Sequence, residues 1–222
     1  MPTPFVVEVA TLESPSRVWR ALSDTEEVSQ WFGWDAPGLA GEIQYIFVDH
    51  AEIDAERMRI DSPDMGQYIE VVSDGPNSIV RAVQKGDDPE DGGYDSMKSG
   101  WIAFFHQLKR YVEEHTDKFR RTIFLKGVGN AGFITTALQE RLEGDAWFRD
   151  DHTLVVATPD FGPGLGVLNA APGLGVDQRG DANFTLSTWG LSDREFDVLA
   201  EEWLEWWQVV ADDSELVTAG GH

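Results

Sequence analysis

The 222-residue sequence predicts an α+β fold in which an antiparallel sheet is closed by a long helix. Three observations predict it. Short β-rich runs separated by turn residues fill positions 42–83, a helical period sets in at Ser96, and a second aromatic-faced helical stretch follows near the end of the chain.

Residues 5–10 alternate and are rich in valine, which predicts a strand with Phe5, Val7 and Val9 on one face. Ser14-Pro15 opens a helix, with serine as cap and proline at the first helical position, and Val18, Trp19, Ala21 and Leu22 give it an apolar stripe. Ser23 or Asp24 caps a second short helix. Its apolar residues are Val28, Trp31 and Phe32, and Gly33 ends it. Past the Pro37-Gly38 turn, four runs read as a meander: residues 42–48, 52–60, 67–72 and 78–83. From Ser96 to about Glu114, residues Met97, Trp101, Phe104, Phe105, Leu108, Tyr111 and Val112 recur with helical spacing. Such a helix is about 28 Å long, enough to lie across a sheet.

In the second half, residues 119–126, 153–158 and 182–189 read as strands, and residues 131–142 as an amphipathic helix with Phe133, Ile134, Ala137, Leu138 and Leu142. Ala146-Trp147-Phe148 echoes Gln30-Trp31-Phe32. Ser192-Asp193 caps a last helix, 194–211, whose Phe196, Leu199, Trp203, Trp206, Trp207 and Val210 mirror the earlier aromatic face. Pro163-Gly164-Leu165-Gly166-Val167 recurs as Pro172-Gly173-Leu174-Gly175-Val176, but the spacing is neither the dinucleotide fingerprint nor the P-loop. The glycines are read as turns or a flap. Two arrangements stay open: residues 1–117 as one domain with 118–222 as a degenerate second copy, or 118–222 as an extension of the first domain.

Ser14-Pro15 with Val18-Trp19-Arg20-Ala21-Leu22, then Trp31-Phe32-Gly33, then Gly100-Trp101 with Leu108-Lys109-Arg110-Tyr111, resemble the START-like (SRPBCC) helix-grip superfamily. Within it they resemble the family named after the activator of Hsp90 ATPase. The resemblance spans residues 4–116 and contains no catalytic motif. It implies an antiparallel sheet wrapped on a long C-terminal helix, doubled if the second half is a degenerate tandem copy, with a cleft between helix and sheet. The family carries more strands before its closing helix than the four runs read here. Either some strands are short or the second half completes the sheet.

Composition narrows the function. Seventeen Lys+Arg against forty Asp+Glu give a formal net charge of -23, and no basic run exceeds Arg120-Arg121, so neither nucleic acid nor an anionic membrane surface is an expected partner. With no cysteine there are no disulfides or thiolate sites, and His50, His106, His115, His152 and His222 lack metal-site or triad spacing. No metal and no cofactor is expected. Asp87-Asp88, Glu90-Asp91 and Asp95 form an acidic loop without the order of a calcium loop. A basic leader and any membrane-length apolar run are absent, which predicts a complete, soluble, cytoplasmic protein.

The aromatics carry the functional expectation. Trp31, Phe32, Trp101 and Phe105 would line the cleft, Tyr45, Tyr68 and Arg81 would supply polar anchors from the sheet, and His106 would lie at the rim of the helix's apolar face. The leading reading is binding of a small apolar or aromatic molecule without a defined reaction. A second is a co-chaperone-like module whose acidic surface and exposed Trp206 or Trp207 dock a basic protein partner. A third, implied by the resemblance, is a metal-free cyclase- or hydratase-like enzyme using His106, Tyr45 and Arg81.

Overall fold

The computed structural model describes residues 3–86, 94–114 and 117–217. His115, His222 and the acidic run from Asp87 to Asp91 lie outside the described residues. The backbone divides into two units, Met1–Gly33 with Gly38–Thr116 and Trp34–Pro37 with Asp117–His222. Each is an antiparallel sheet combined with a long helix, the helix-grip layout of an α+β fold.

The first unit starts with β1 (Phe5–Thr11), in which Phe5, Val7 and Val9 are buried and alternate with exposed residues. Helices α1 (Pro15–Ser23) and α2 (Thr25–Val28) follow, capped by the side chains of Ser14 and Asp24. Buried Glu27 of α2 accepts from Arg17 and Arg20 of α1 at 2.5 and 2.6 Å, which fixes the angle between the two helices. Gly33 adopts φ +62°, and a Cβ there would stand 2.7 Å from Leu39 Cδ1, so glycine meets both a backbone and a space requirement.

The chain then departs from the meander expected at residues 42–48. Those residues are helical: α3 (Leu39–Gln44) continues as a π-helical turn, Tyr45–Asp49. Ile43 and Phe47 are buried four residues apart, a helical spacing that overrides the local β-propensity. The run at 52–60 is likewise two strands, β2 (Glu52–Asp54) and β3 (Arg59–Ser62), paired as a hairpin around a turn with Met58 at φ +51°. With β4 (Gln67–Asp74) and β5 (Asn77–Gln84) the sheet order is β1-β5-β4-β3-β2. The sheet is completed within this unit. Register places Val7, Ala82, Ile69 and Ile60 in one row and Val9, Val80 and Val71 in another, all buried on one face. Long helix α4 (Ser96–Glu113), capped by Asp95, is tied to the end of β1, where Lys109 Nζ donates to Ala10 O, and to the residue that follows the strand, where Glu113 Oε1 accepts from Leu12 N.

The second unit has its own six-stranded sheet. Its elements are β6 (Arg120–Asn130), α5 (Ala131–Arg141), β7 (Asp145–Arg149), β8 (Thr153–Thr158), β9 (Gly164–Ala170), β10 (Arg179–Trp189), α6 (Asp193–Val210) and β11 (Asp212–Val217), in the order β11-β6-β10-β9-β8-β7. Phe184, Trp203, Trp207, Ile123, Leu125 and Leu168 belong to its core, and Trp207 donates its indole N–H to Lys126 O at 2.9 Å. Residues Trp34–Pro37 belong to this unit: Asp35 exchanges two hydrogen bonds with Thr122, and Trp34 stacks on Phe124 at 4.1 Å.

Four expectations need correction here. Trp147-Phe148 lies half-buried on edge strand β7, whereas Trp31-Phe32 is a buried corner, so the echo is one of letters only. Phe133 faces outward from α5 while Ile134 and Leu138 face the core. The glycine repeat has no common role: a Cβ at Gly166, inside β9, would meet Leu142 Cδ2 at 2.6 Å, whereas Gly173 forms a turn at φ +107°. Trp207 is fully buried and Trp206 is half-buried, so neither is the exposed indole foreseen.

Candidate functional site

Six rings gather in the first unit. Trp31 and Phe32 come from the corner after α2, Phe47 from the π-helical turn, and Trp101, Phe104 and Phe105 from i, i+3, i+4 positions on α4. Phe32 is at the middle, with ring centroids 5.9 Å from Trp31, 5.1 Å from Phe47, 6.1 Å from Trp101 and 4.8 Å from Phe104. Trp31 and Phe47 meet edge to face at 5.9 Å, and Trp101 approaches Phe105 at 5.3 Å. Edge-to-face and tilted arrangements suit the ring quadrupoles and hold each ring in one orientation. Trp31 is further fixed because its indole N–H donates to Ala21 O at 2.8 Å.

Of the eight residues named from sequence, Trp31, Phe32, Trp101 and Phe105 are brought together in this cluster. His106 follows Phe105 on the same helix, but it is buried instead of standing at a rim, because α4 is buried over a wider arc than one apolar stripe. Its Nδ1 is 2.7 Å from Ile102 O, one helical turn back. Burial pushes the imidazole pKa below its ordinary value, and the nearby Lys109 ammonium adds to this against the opposing pull of the Ile102 carbonyl. Neighbouring Gln107 is buried too and points its amide at Gly33 O, 3.4 Å away.

The three expected polar anchors are elsewhere. Tyr45 sits on the π-helical turn, not on a strand; its side chain is 49% exposed and its ring lies 4.0 Å from that of His50, whose Nδ1 is 2.8 Å from Asp64 Oδ2. Tyr68 and Arg81 do lie on strands, but on the face opposite the buried valines, because side chains alternate and they fall in rows with Asp61 and with Glu8 and Glu70. Arg81 donates to Glu8 at 2.5 Å and to Glu70 at 2.7 Å, and these carboxylates raise its pKa. The Arg59 guanidinium covers the Tyr68 ring at 3.6 Å and chelates Asp61, whose carboxyl is thereby held below its usual range. This outer face is a ladder of paired charges.

Phe47 is the cluster member that sequence reasoning missed. The signal was present in its i, i+4 spacing from Ile43 behind the Pro37-Gly38 break, and reading period two in place of 3.6 hid it. Among the described residues, no group of three or more His, Asp or Glu side chains is placed to hold a metal ion, and no helix is long and apolar enough to cross a membrane.

No protein-family profile matches the chain, and no curated protein does. Among solved structures, the di-domain ARO/CYC BexL from the BE-7585A biosynthetic pathway is similar at 13% identity and a TM-score of 0.36, over 94% of this chain and 93% of that one. The di-domain ARO/CYC StfQ from the steffimycin biosynthetic pathway is similar at 10% identity and a TM-score of 0.36, over 92% and 93%. DynU16, a protein of the dynemicin biosynthetic locus, follows at 14% identity and a TM-score of 0.31, over 91% and 94%. At TM-scores this low, the fold assignment rests on the chain's own strand order and helices.

Proposed function

We propose that the first unit binds a small apolar or aromatic molecule against the ring cluster of α4, without a defined reaction. The carrying observation is the convergence of Trp31, Phe32, Phe47, Trp101, Phe104 and Phe105 from three separate segments onto one locus, with buried Gln107 bonded to Gly33 O at its corner. Aromatic surface with a fixed polar group beside it is the chemistry a ligand of this class requires, and its entry would need the packed rings to part. Tyr68 and Arg81 have no part in this reading, since they lie on the opposite face and are engaged with charged partners. The resemblance to the activator of Hsp90 ATPase family rests on Ser14-Pro15 with Val18-Trp19-Arg20-Ala21-Leu22, on Trp31-Phe32-Gly33, and on Gly100-Trp101 with Leu108-Lys109-Arg110-Tyr111. Residues 118–222 are read as a degenerate second helix-grip unit. Native mass spectrometry of the purified protein, combined with titration of the neutral fluorophore N-phenyl-1-naphthylamine, tests the proposal. A co-purifying small molecule or saturable one-site probe binding is expected; a bare mass together with no saturable binding refutes it.

A further inference from the structure

Helix α6 is two-sided. Phe196, Ala200, Trp203, Trp207 and Val210 pack into the core of the second unit. The opposite side carries a stripe with alternating three- and four-residue spacing, Glu195, Val198, Glu202, Glu205 and Val209, and every member is exposed. Val198 is 50% and Val209 78% exposed, on a helix whose other apolar side chains are largely covered. Two shallow depressions flank the stripe. One, about 490 Å³, is bordered by Val198, Leu199 and Glu195; the other, about 470 Å³, by Trp206, Val209 and Glu205; they share Glu202. They succeed one another along the helix on either side of Glu202. From Val198 to Val209 the stripe runs about 16 Å, roughly three turns.

The charge on this side is predominantly negative, although Arg194 borders the first depression and Arg141 the second. Six carboxylates of α6 are exposed against one arginine, Arg194. Asp193 pairs with Arg121 and Glu195 bonds to Ser192 at the N-terminal end. Among the described residues, Asp197, Glu201, Glu202 and Glu205 have no ion-pair partner. Arg141 reaches the second depression, but its guanidinium lies over the Trp203 ring at 4.7 Å.

We infer that the outer side of α6 is a docking surface for a cationic amphipathic helix of another protein. Leucine-type side chains at heptad spacing would fill the depressions beside Val198 and Trp206, and flanking lysines or arginines would meet Glu201, Glu202 and Glu205. A second copy of this chain is the wrong occupant, because it would set one acidic stripe against another. The surface lies on the second unit and is independent of the ligand proposed for the first.

The test compares two synthetic peptides of identical composition by fluorescence anisotropy at physiological salt. One has Leu at heptad a and d positions and Lys elsewhere; the other is scrambled. The heptad peptide is expected to bind at least about tenfold more tightly than the scrambled one. Glu202→Lys with Glu205→Lys should weaken it by at least about tenfold, whereas Glu56→Lys with Asp74→Lys, the same change of net charge on the first unit, should weaken it by less than about threefold. Val198→Ser with Val209→Ser should also reduce binding, and circular dichroism verifies the fold of each variant. No binding, equal binding of the two peptides, equal loss in both charge-reversal pairs, or sedimentation showing self-association through α6 overturns the inference.

Discussion

Replacing Phe32 by alanine asks whether the ring at the centre of the cluster is packed in place. The side chain is 2% exposed and has aromatic neighbours 4.8 to 6.1 Å away on several sides. Phe→Ala in a core costs about 3–5 kcal/mol, the spread reflecting how far the surroundings collapse. Collapse is restricted here. Trp31 is pinned through its N–H to Ala21 O, and Phe104 and Trp101 are carried on one rigid helix, so about 4 kcal/mol is expected. The void left behind is apolar, and a benzene-sized guest should recover part of the loss. The assay is native-state hydrogen exchange of the slowest amides in β1, β5 and α4, which reports on this unit alone, with and without saturating benzene. A loss below about 1.5 kcal/mol, or no recovery with benzene, would show that the ring is not part of a close-packed cluster.

Two further predictions concern titratable groups. Because burial depresses the His106 pKa, the unfolded chain takes up a proton near pH 6.5 that the folded chain refuses; stability therefore falls as pH drops below about 6.5, by at most about 1.4 kcal/mol per pH unit from this group. In His106→Leu that contribution vanishes, so urea midpoints between pH 5 and 7 should vary less than in the native sequence; unchanged pH dependence contradicts the reading. In the second unit, burial lowers the Arg120 pKa to about 10 and the Asp35 carboxylate partly offsets it. Asp35→Asn keeps an acceptor for Thr122 N but removes the charge facing Arg120. A loss of about 3 kcal/mol in urea denaturation is expected, and a loss under about 0.5 kcal/mol argues that the guanidinium does not depend on Asp35.

Elements with strong local chemistry were legible in the sequence. Ser14-Pro15, Asp24 and Ser192 cap helices because a short side-chain oxygen can satisfy an orphan N–H, and Ser192 with Glu195 forms a full capping box. Valine alternation in β1 placed Phe5, Val7 and Val9 on one face. What failed was decided by tertiary burial. Residues 42–48 carry β-prone side chains, yet Ile43 and Phe47 are buried from a helical backbone. β11 (Asp-Asp-Ser-Glu-Leu-Val) draws no strand expectation, because its place on the edge of β6, with Lys126 opposite Glu215, comes from pairing and not from its own polar sequence. For the site, the apolar members announced themselves by helical spacing on α4. The polar members did not, because which face of a strand Tyr68 or Arg81 occupies depends on register, and register follows from pairing that spans the sheet.

The most direct test of the ring cluster as a binding site is a hydrogen-exchange map with and without saturating N-phenyl-1-naphthylamine. Added protection in α4, around the Trp31-Phe32 corner and at the π-helical turn bearing Phe47 is predicted. Protection confined to residues 117–217, or no change anywhere at saturation, would contradict the assignment.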